Sequence, residues 1–131
     1  VSSFTTAVIT QRTDLLSIRG FPMLHVQQPI VYEIGFLGSN HPVVIPAGFL
    51  TDGPSVPRLL QFLMPMDHLL APSVLHDWLL TQLAWEKSRA DLEFKIAMRA
   101  CGVRQPYRQI AYWAVHFNHS PRQPPQMLPV I

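Results

Sequence analysis

The sequence predicts a single α+β domain, a small N-terminal antiparallel sheet packed against about four C-terminal helices. Three observations carry this. Short β-branched runs cut by Gly and Pro fill the first half. Apolar residues at helical spacing fill the second half. The chain has 131 residues, enough for one proper core and too few for two.

In the first half, Thr6–Thr10 is β-rich, Leu24–Gln27 alternates, and Ile30–Gly35 alternates in part. Pro42–Pro46 is a short strand between prolines. Gly20, Pro22, Pro29, Gly38–Asn40 and Pro46–Gly48 punctuate these runs as turns. The pattern suits an antiparallel sheet with one covered face.

In the second half, Ser55 is a good N-cap and Pro57 fits the first turn of a helix over Val56–Leu63, which Pro65 ends. A second helix runs from Pro72 to about Leu83, with Leu75, Leu79, Leu80 and Leu83 in helical register. Ser88 with Asp91 resembles a capping box, with Asp for the usual Glu or Gln. The helix it starts should pass through Phe94 and Met98 and stop near Gly102. A last helix, about Pro106 to Phe117, carries Ile110, Trp113, Ala114 and Phe117 on one stripe. The domain thus occupies residues 1–119. Residues 120–131 hold four prolines and read as an extended arm, with Met127, Leu128 and Ile131 as candidate partner-binding anchors.

Composition narrows the function classes. Hydrophobic residues make up 48% of the chain, yet no apolar run approaches the roughly 20 residues that span a bilayer. Val1–Thr6 lacks the basic and apolar regions of a secretory signal. The single cysteine, Cys101, excludes an internal disulfide and a multi-cysteine zinc site, and reads as a buried, inert thiol. The net charge is only +2. Arg99, Arg104, Arg108 and Arg122 make the C-terminal third more basic, but no Lys/Arg run or nucleic-acid motif is present. Nucleic acid is therefore not an expected partner.

Only 14% of residues are charged, against roughly a quarter in ordinary domains. Several of these charges fall in three stretches, Thr51–Arg58, Leu75–Leu79 and Ser88–Asp91, beside apolar residues that should be core. Buried charge is costly unless paired, hydrogen-bonded or bound to metal, so these residues are expected to meet in space. Asp52 is a turn carboxylate or one presented at a strand end. Arg58 is a surface cation or a partner of Asp52 or Asp77. His76 and Asp77 are helix neighbours, and imidazole with carboxylate can bind a divalent metal or run acid–base chemistry. Asp91 is a first-turn helix acid or an inward-facing one. Arg89 fits a solvated cation, and His68, His116 and His119 read as peripheral. The order His68, His76-Asp77, Asp91 is similar in outline to the metal phosphohydrolases named for a His-Asp doublet. Those are all helical, however, and the spacings here are too short.

These residues carry a closer resemblance. Ile45–Asp52, Ser55–Arg58, Ala71-Pro72 with Leu75–Leu79, Arg89–Asp91 with Phe94 and Met98, and Tyr112–Val115 appear in an order that resembles a family of small phage and prophage proteins. It is catalogued as a domain of unknown function, the thirteen-fifty-three family. The resemblance covers roughly Val43 to Phe117. The family pattern more often has a pair such as Leu-Ala at Gly53-Pro54, and Tyr at Leu80; neither departure removes a polar site residue. What the resemblance implies is a phage origin, with location in the virion or in the cytoplasm of the infected bacterial host. It implies no reaction.

Two functions follow as expectations. One is a phage virion or assembly component, bound to other phage structural proteins or to itself, in which the Asp/His/Arg cluster pins the fold. The other is a metal-dependent hydrolase. Its divalent ion would sit on Asp52, His76, Asp77 and Asp91, and His76, Asp77 and Arg58 would be catalytic.

Overall fold

In the computed structural model, the residues described are 3–4, 9–16, 22–34, 41–51 and 66–116. Among them the chain forms six strands, β1 (Ser3–Phe4), β2 (Thr10–Leu16), β3 (Pro22–Val26), β4 (Ile30–Glu33), β5 (Pro42–Ile45) and β6 (Leu50–Thr51). Three helices follow, α1 (Met66–Thr81), α2 (Lys87–Ala100) and α3 (Tyr107–His116). The class is α+β with antiparallel strands, as the sequence predicts. About four helices were expected against the three described. The first expected one, with its Ser55 cap, lies outside the described residues, as do Asp52, Arg58 and the arm with Met127, Leu128 and Ile131.

The strands make two three-stranded sheets, ordered β1-β4-β5 and β2-β3-β6. Register in the first is set by burial. Ile30 pairs with Ile45 and Tyr32 with Val43, and all four are buried. The alternate residues turn outward, so a one-residue slip would reverse both faces. The prolines beside β5 have a positional meaning. Ile34 N–H donates to His41 O at 3.1 Å, so by alternation residues 43 and 45 also bond toward β4. Pro42, Val44 and Pro46 then direct their backbone outward, where a missing N–H costs no ladder bond. β2 was not expected beyond Thr10. Its run Gln11-Arg12-Thr13-Asp14 lacks apolar alternation, and pairing with β3 holds it as a strand.

Helix α1 starts at Met66, six residues before the expected Pro72, which lies inside it. Proline removes the bond to the carbonyl four residues back, here that of His68. Fully buried Leu69, Val74, Leu75 and Leu79 keep the helix together by packing. His68 ties the same end down, because its Nδ1 donates to Cys101 O at 2.9 Å. After α1, Ala84 adopts φ +52°, a region in which a Cβ is strained. Ala84→Gly is expected to raise stability by about 0.5–1 kcal/mol, read as a higher urea midpoint at unchanged slope. An unchanged or lower midpoint would show that the strain is absorbed elsewhere.

α2 ends at Gly102 in the way its sequence announces. Gly102 has φ +83°, Val103 N–H bonds Met98 O and Gly102 N–H bonds Arg99 O. These are the two bonds of a Schellman stop, with Val103 and Met98 supplying its apolar contact. At the other end the capping-box reading fails. Glu86 stands at the N-cap with no side-chain cap bond, and Ser88 is exposed. α3 occupies the expected range but is rotated. Ala111 is buried, and Ile110, Tyr112 and Val115 pack on the core, while Trp113 and Ala114 are exposed. Polar contacts near its C-terminus set that rotation.

Two apolar clusters fill the interior. The larger joins the first sheet and β3 to α1 and α2 through Val26, Ile30, Tyr32, Ile45, Leu75, Leu79, Ala90 and Ala97. The smaller joins α1, α2 and α3 through Leu69, Phe94, Met98, Val103 and Ala111.

Candidate functional site

His76 and Asp77 project about 100° apart because they are neighbours on a helix. The fold sends them to different layers. His76 faces α2, where its Nε2 donates to Asp91 Oδ1 at 2.6 Å and its ring packs 5.2 Å from that of Phe94. Asp77 faces the second sheet, where its Oδ2 accepts from Thr51 Oγ1 at 2.5 Å. Of the expected site residues, His76 and Asp91 are thus joined directly, and Asp77 is tied to the strand before Asp52.

Asp91 is the centre of the arrangement. It is 0% exposed. Lys87, one turn earlier on α2, donates from Nζ to Asp91 Oδ2 at 2.6 Å, and His116 Nδ1 lies 3.2 Å from the same oxygen. Lys87 has two further acceptors, Val115 O at 2.8 Å and His116 O at 3.1 Å. All three ammonium protons therefore have partners. Two of those partners are among the last carbonyls of α3, which the helix itself leaves without donors. A single lysine thus neutralises a buried acid and caps a neighbouring helix. His116, stacked on Tyr112 at 5.3 Å, completes the junction of α1, α2 and α3. This is what rotates α3: with His116 turned to Asp91, Trp113 falls on the outside.

The charge on Asp91 is stable where it sits. Burial pushes its pKa up, but bonds from His76 and Lys87, with their charges, overcome this and hold it at about 2, against an ordinary 3.8. An ionised carboxylate only accepts, so His76 Nε2 and His116 Nδ1 each present an N–H to it. The lowered pKa stabilises the fold by about 2 kcal/mol at roughly 1.4 kcal/mol per unit. That contribution is complete above pH 3.8 and disappears as pH falls through about 2. Urea titrations at a series of acid pH values should show this loss, and Asp91→Asn should flatten it in that window. An unaltered acid profile in Asp91→Asn would place the titrating group elsewhere.

A second buried acid is satisfied in the same manner. Tyr32 OH donates to Glu93 Oε1 at 2.5 Å and ties β4 to α2. The sequence reading missed Lys87, His116 and Glu93. Lys87 and Asp91 stand at i,i+4, a visible signal. His116 lies 25 residues beyond Asp91, and no local pattern marks it. Its assignment as peripheral is corrected, whereas His68 is exposed, Arg89 stacks over Trp85 at 4.4 Å, and His119 lies outside the described residues. Cys101, expected to be buried, is half-buried, and burial raises its thiol pKa.

As metal ligands these groups are poorly presented. The His76 nitrogen that faces Asp91 carries a proton, and Lys87 holds the place of a cation beside Oδ2. Among the described residues no group of three His, Cys, Asp or Glu is arranged to hold a metal ion. Nor is any described helix long and apolar enough to cross a membrane.

A family model described as "Protein of unknown function (DUF1353)" matches residues 24–115, a span that includes His76, Lys87 and Asp91. No curated protein and no solved structure matches the chain.

Proposed function

The chain belongs to the DUF1353 family of proteins of unknown function, and from that premise we propose that it is a phage virion or assembly component whose Asp91 network locks the fold. One observation carries this reading. Asp91 is fully buried, and nitrogens from three elements occupy both of its oxygens. A reaction centre needs a carboxylate or imidazole that substrate can reach. A fold lock needs the reverse. In this reading the partners are other phage structural proteins or further copies of the chain, in the virion or in the host cytoplasm. The Pro-rich arm, with Met127, Leu128 and Ile131, makes the contact.

The opposed reading, a metal-dependent hydrolase using Asp52, His76, Asp77 and Asp91, predicts a different response to metal. Purified protein should be assayed for bound metal and titrated with zinc, manganese, magnesium and calcium at neutral pH, with mass in solution measured in parallel. The structural reading expects no shift in melting temperature that His76→Gln abolishes. It also expects self-association, or assembly with particle proteins, that is lost on deleting Pro121–Ile131 while the melting temperature stays within a few degrees. A metal-dependent shift that disappears in His76→Gln would transfer the site to the hydrolase. Normal assembly of the truncated chain would remove the arm from the proposal.

A further inference from the structure

The helical half sorts its charges by sign. Between residues 86 and 116, Asp91 and Glu93 are buried and committed to the network and to Tyr32, which leaves Glu86 as the exposed acid. The bases face the other way. Arg89, Arg99 and Arg104 are exposed, and Lys95 and Arg108 are half-buried. Among the described residues no carboxylate pairs with any of these bases.

Several of them converge on the seam between α2 and α3. The two helices run antiparallel, since Lys87 at the start of α2 reaches the end of α3. Lys95 Nζ sits 5.0 Å from the centre of the Tyr112 ring. One turn further along α2 is Arg99, and one turn back along α3 is Arg108, so antiparallel packing places these two at the same level of the seam. Arg104 precedes α3 at the same end. Like charges on adjacent turns are destabilising when no counter-charge lies between them. The strip is also not purely polar. Leu92, one turn before Lys95, and Trp113, next to Tyr112, are each 52% exposed.

We infer that the outer seam of α2 and α3 docks an acidic segment of a partner protein that also carries apolar side chains. Lys95, Arg99 and Arg108 would meet its carboxylates, and Leu92 and Trp113 its apolar groups. Charge complementarity selects an anionic partner. Leu92 and Trp113 favour a peptide over a phosphate backbone, which offers no aliphatic match to Leu92. Arg, Tyr and Trp are also the residue types that dominate protein–protein hot spots. This surface is distinct from the Asp91 network, and the inference would hold equally for an enzyme, so it stands or falls separately from the proposed function.

Fluorescence anisotropy on the full chain tests it. The probes are a labelled peptide of mixed Glu, Asp, Leu and Phe, the same peptide with Lys for its acids, and a labelled oligothymidine of equal length. The acidic peptide should bind, more weakly as salt rises, and the Lys peptide should not. Arg99→Glu should weaken binding at least about tenfold, about 1.4 kcal/mol. Arg89→Glu, with the same change in net charge but outside the seam, should change it less than about twofold. Trp113→Ala should also weaken it. Circular dichroism checks each variant, and Arg99→Gln with Arg108→Gln replaces Arg99→Glu if that variant is misfolded. No peptide binding, or equal effects of Arg89→Glu and Arg99→Glu, would overturn the inference. Tighter binding of oligothymidine than of the acidic peptide would overturn it in favour of nucleic acid.

Discussion

Asp91→Ala is expected to cost about 3–5 kcal/mol, the range for removing one partner of a buried ion pair. Typical domains have about 5–15 kcal/mol in total, so the variant should be close to unfolding at room temperature. The loss arises less from the missing bonds than from what remains. Lys87 would keep a charge at the α2–α3 junction with no anion beside it, and His76, only 3% exposed, would lose the acceptor of its Nε2 proton. Asp91→Asn is not a mild replacement here. Its one oxygen can serve His76, but its amide nitrogen then faces the Lys87 ammonium, donor against donor. Urea denaturation followed by tryptophan fluorescence measures both variants. A loss below about 0.5 kcal/mol for Asp91→Ala, typical of an exposed change, would show that the network is not a lock.

Lys87→Met should cost about 3 kcal/mol although Lys87 is half-buried, because the methionine keeps the aliphatic stem and removes only the ammonium. Asp91 would stay buried without its cation, and the last carbonyls of α3 would lose their donor. The direction of the acid response is also specified. Burial raises the Asp91 pKa and Lys87 helps to hold it down, so acid unfolding should begin at higher pH in Lys87→Met than in the parent chain. Combining Lys87→Met with Asp91→Leu should cost clearly less than the sum of the single losses, since the second change removes the charge that the first leaves stranded. Strict additivity would mean that the two side chains do not act as a unit.

Much of the helical half is legible in the sequence because its apolar spacing is regular and its stops are explicit, as at Gly102. The strands at Leu24–Val26, Ile30–Glu33 and Pro42–Ile45 are legible through their β-branched residues and flanking prolines. β2 is not, because Gln11-Arg12-Thr13-Asp14 lacks apolar alternation and the strand is held by pairs with β3 on either side of a register shift between Arg12 and Leu16. α1 is read too short because Pro72, usually a boundary, is carried inside a helix by the packing around it. In the site, scarcity of charge is enough to single out His76, Asp77 and Asp91. It does not reveal that Asp91 takes partners from α1, its own helix and α3, since His116 reaches it only through tertiary packing. Nor does it separate the doublet, because adjacency in sequence hides the angle that sends His76 and Asp77 to different layers.

That angle has a mechanical consequence. α1 is gripped from two directions at neighbouring residues, by Asp91 on one side and by Thr51 on the other. It can neither roll about its axis nor slide along it without breaking one grip or the other. Sheet and helices therefore lose the freedom to open separately. Amide exchange should reflect this: the slowest protons of β3, α1 and α2 should share one opening free energy, that of global unfolding, instead of forming a soft sheet and a hard helical layer.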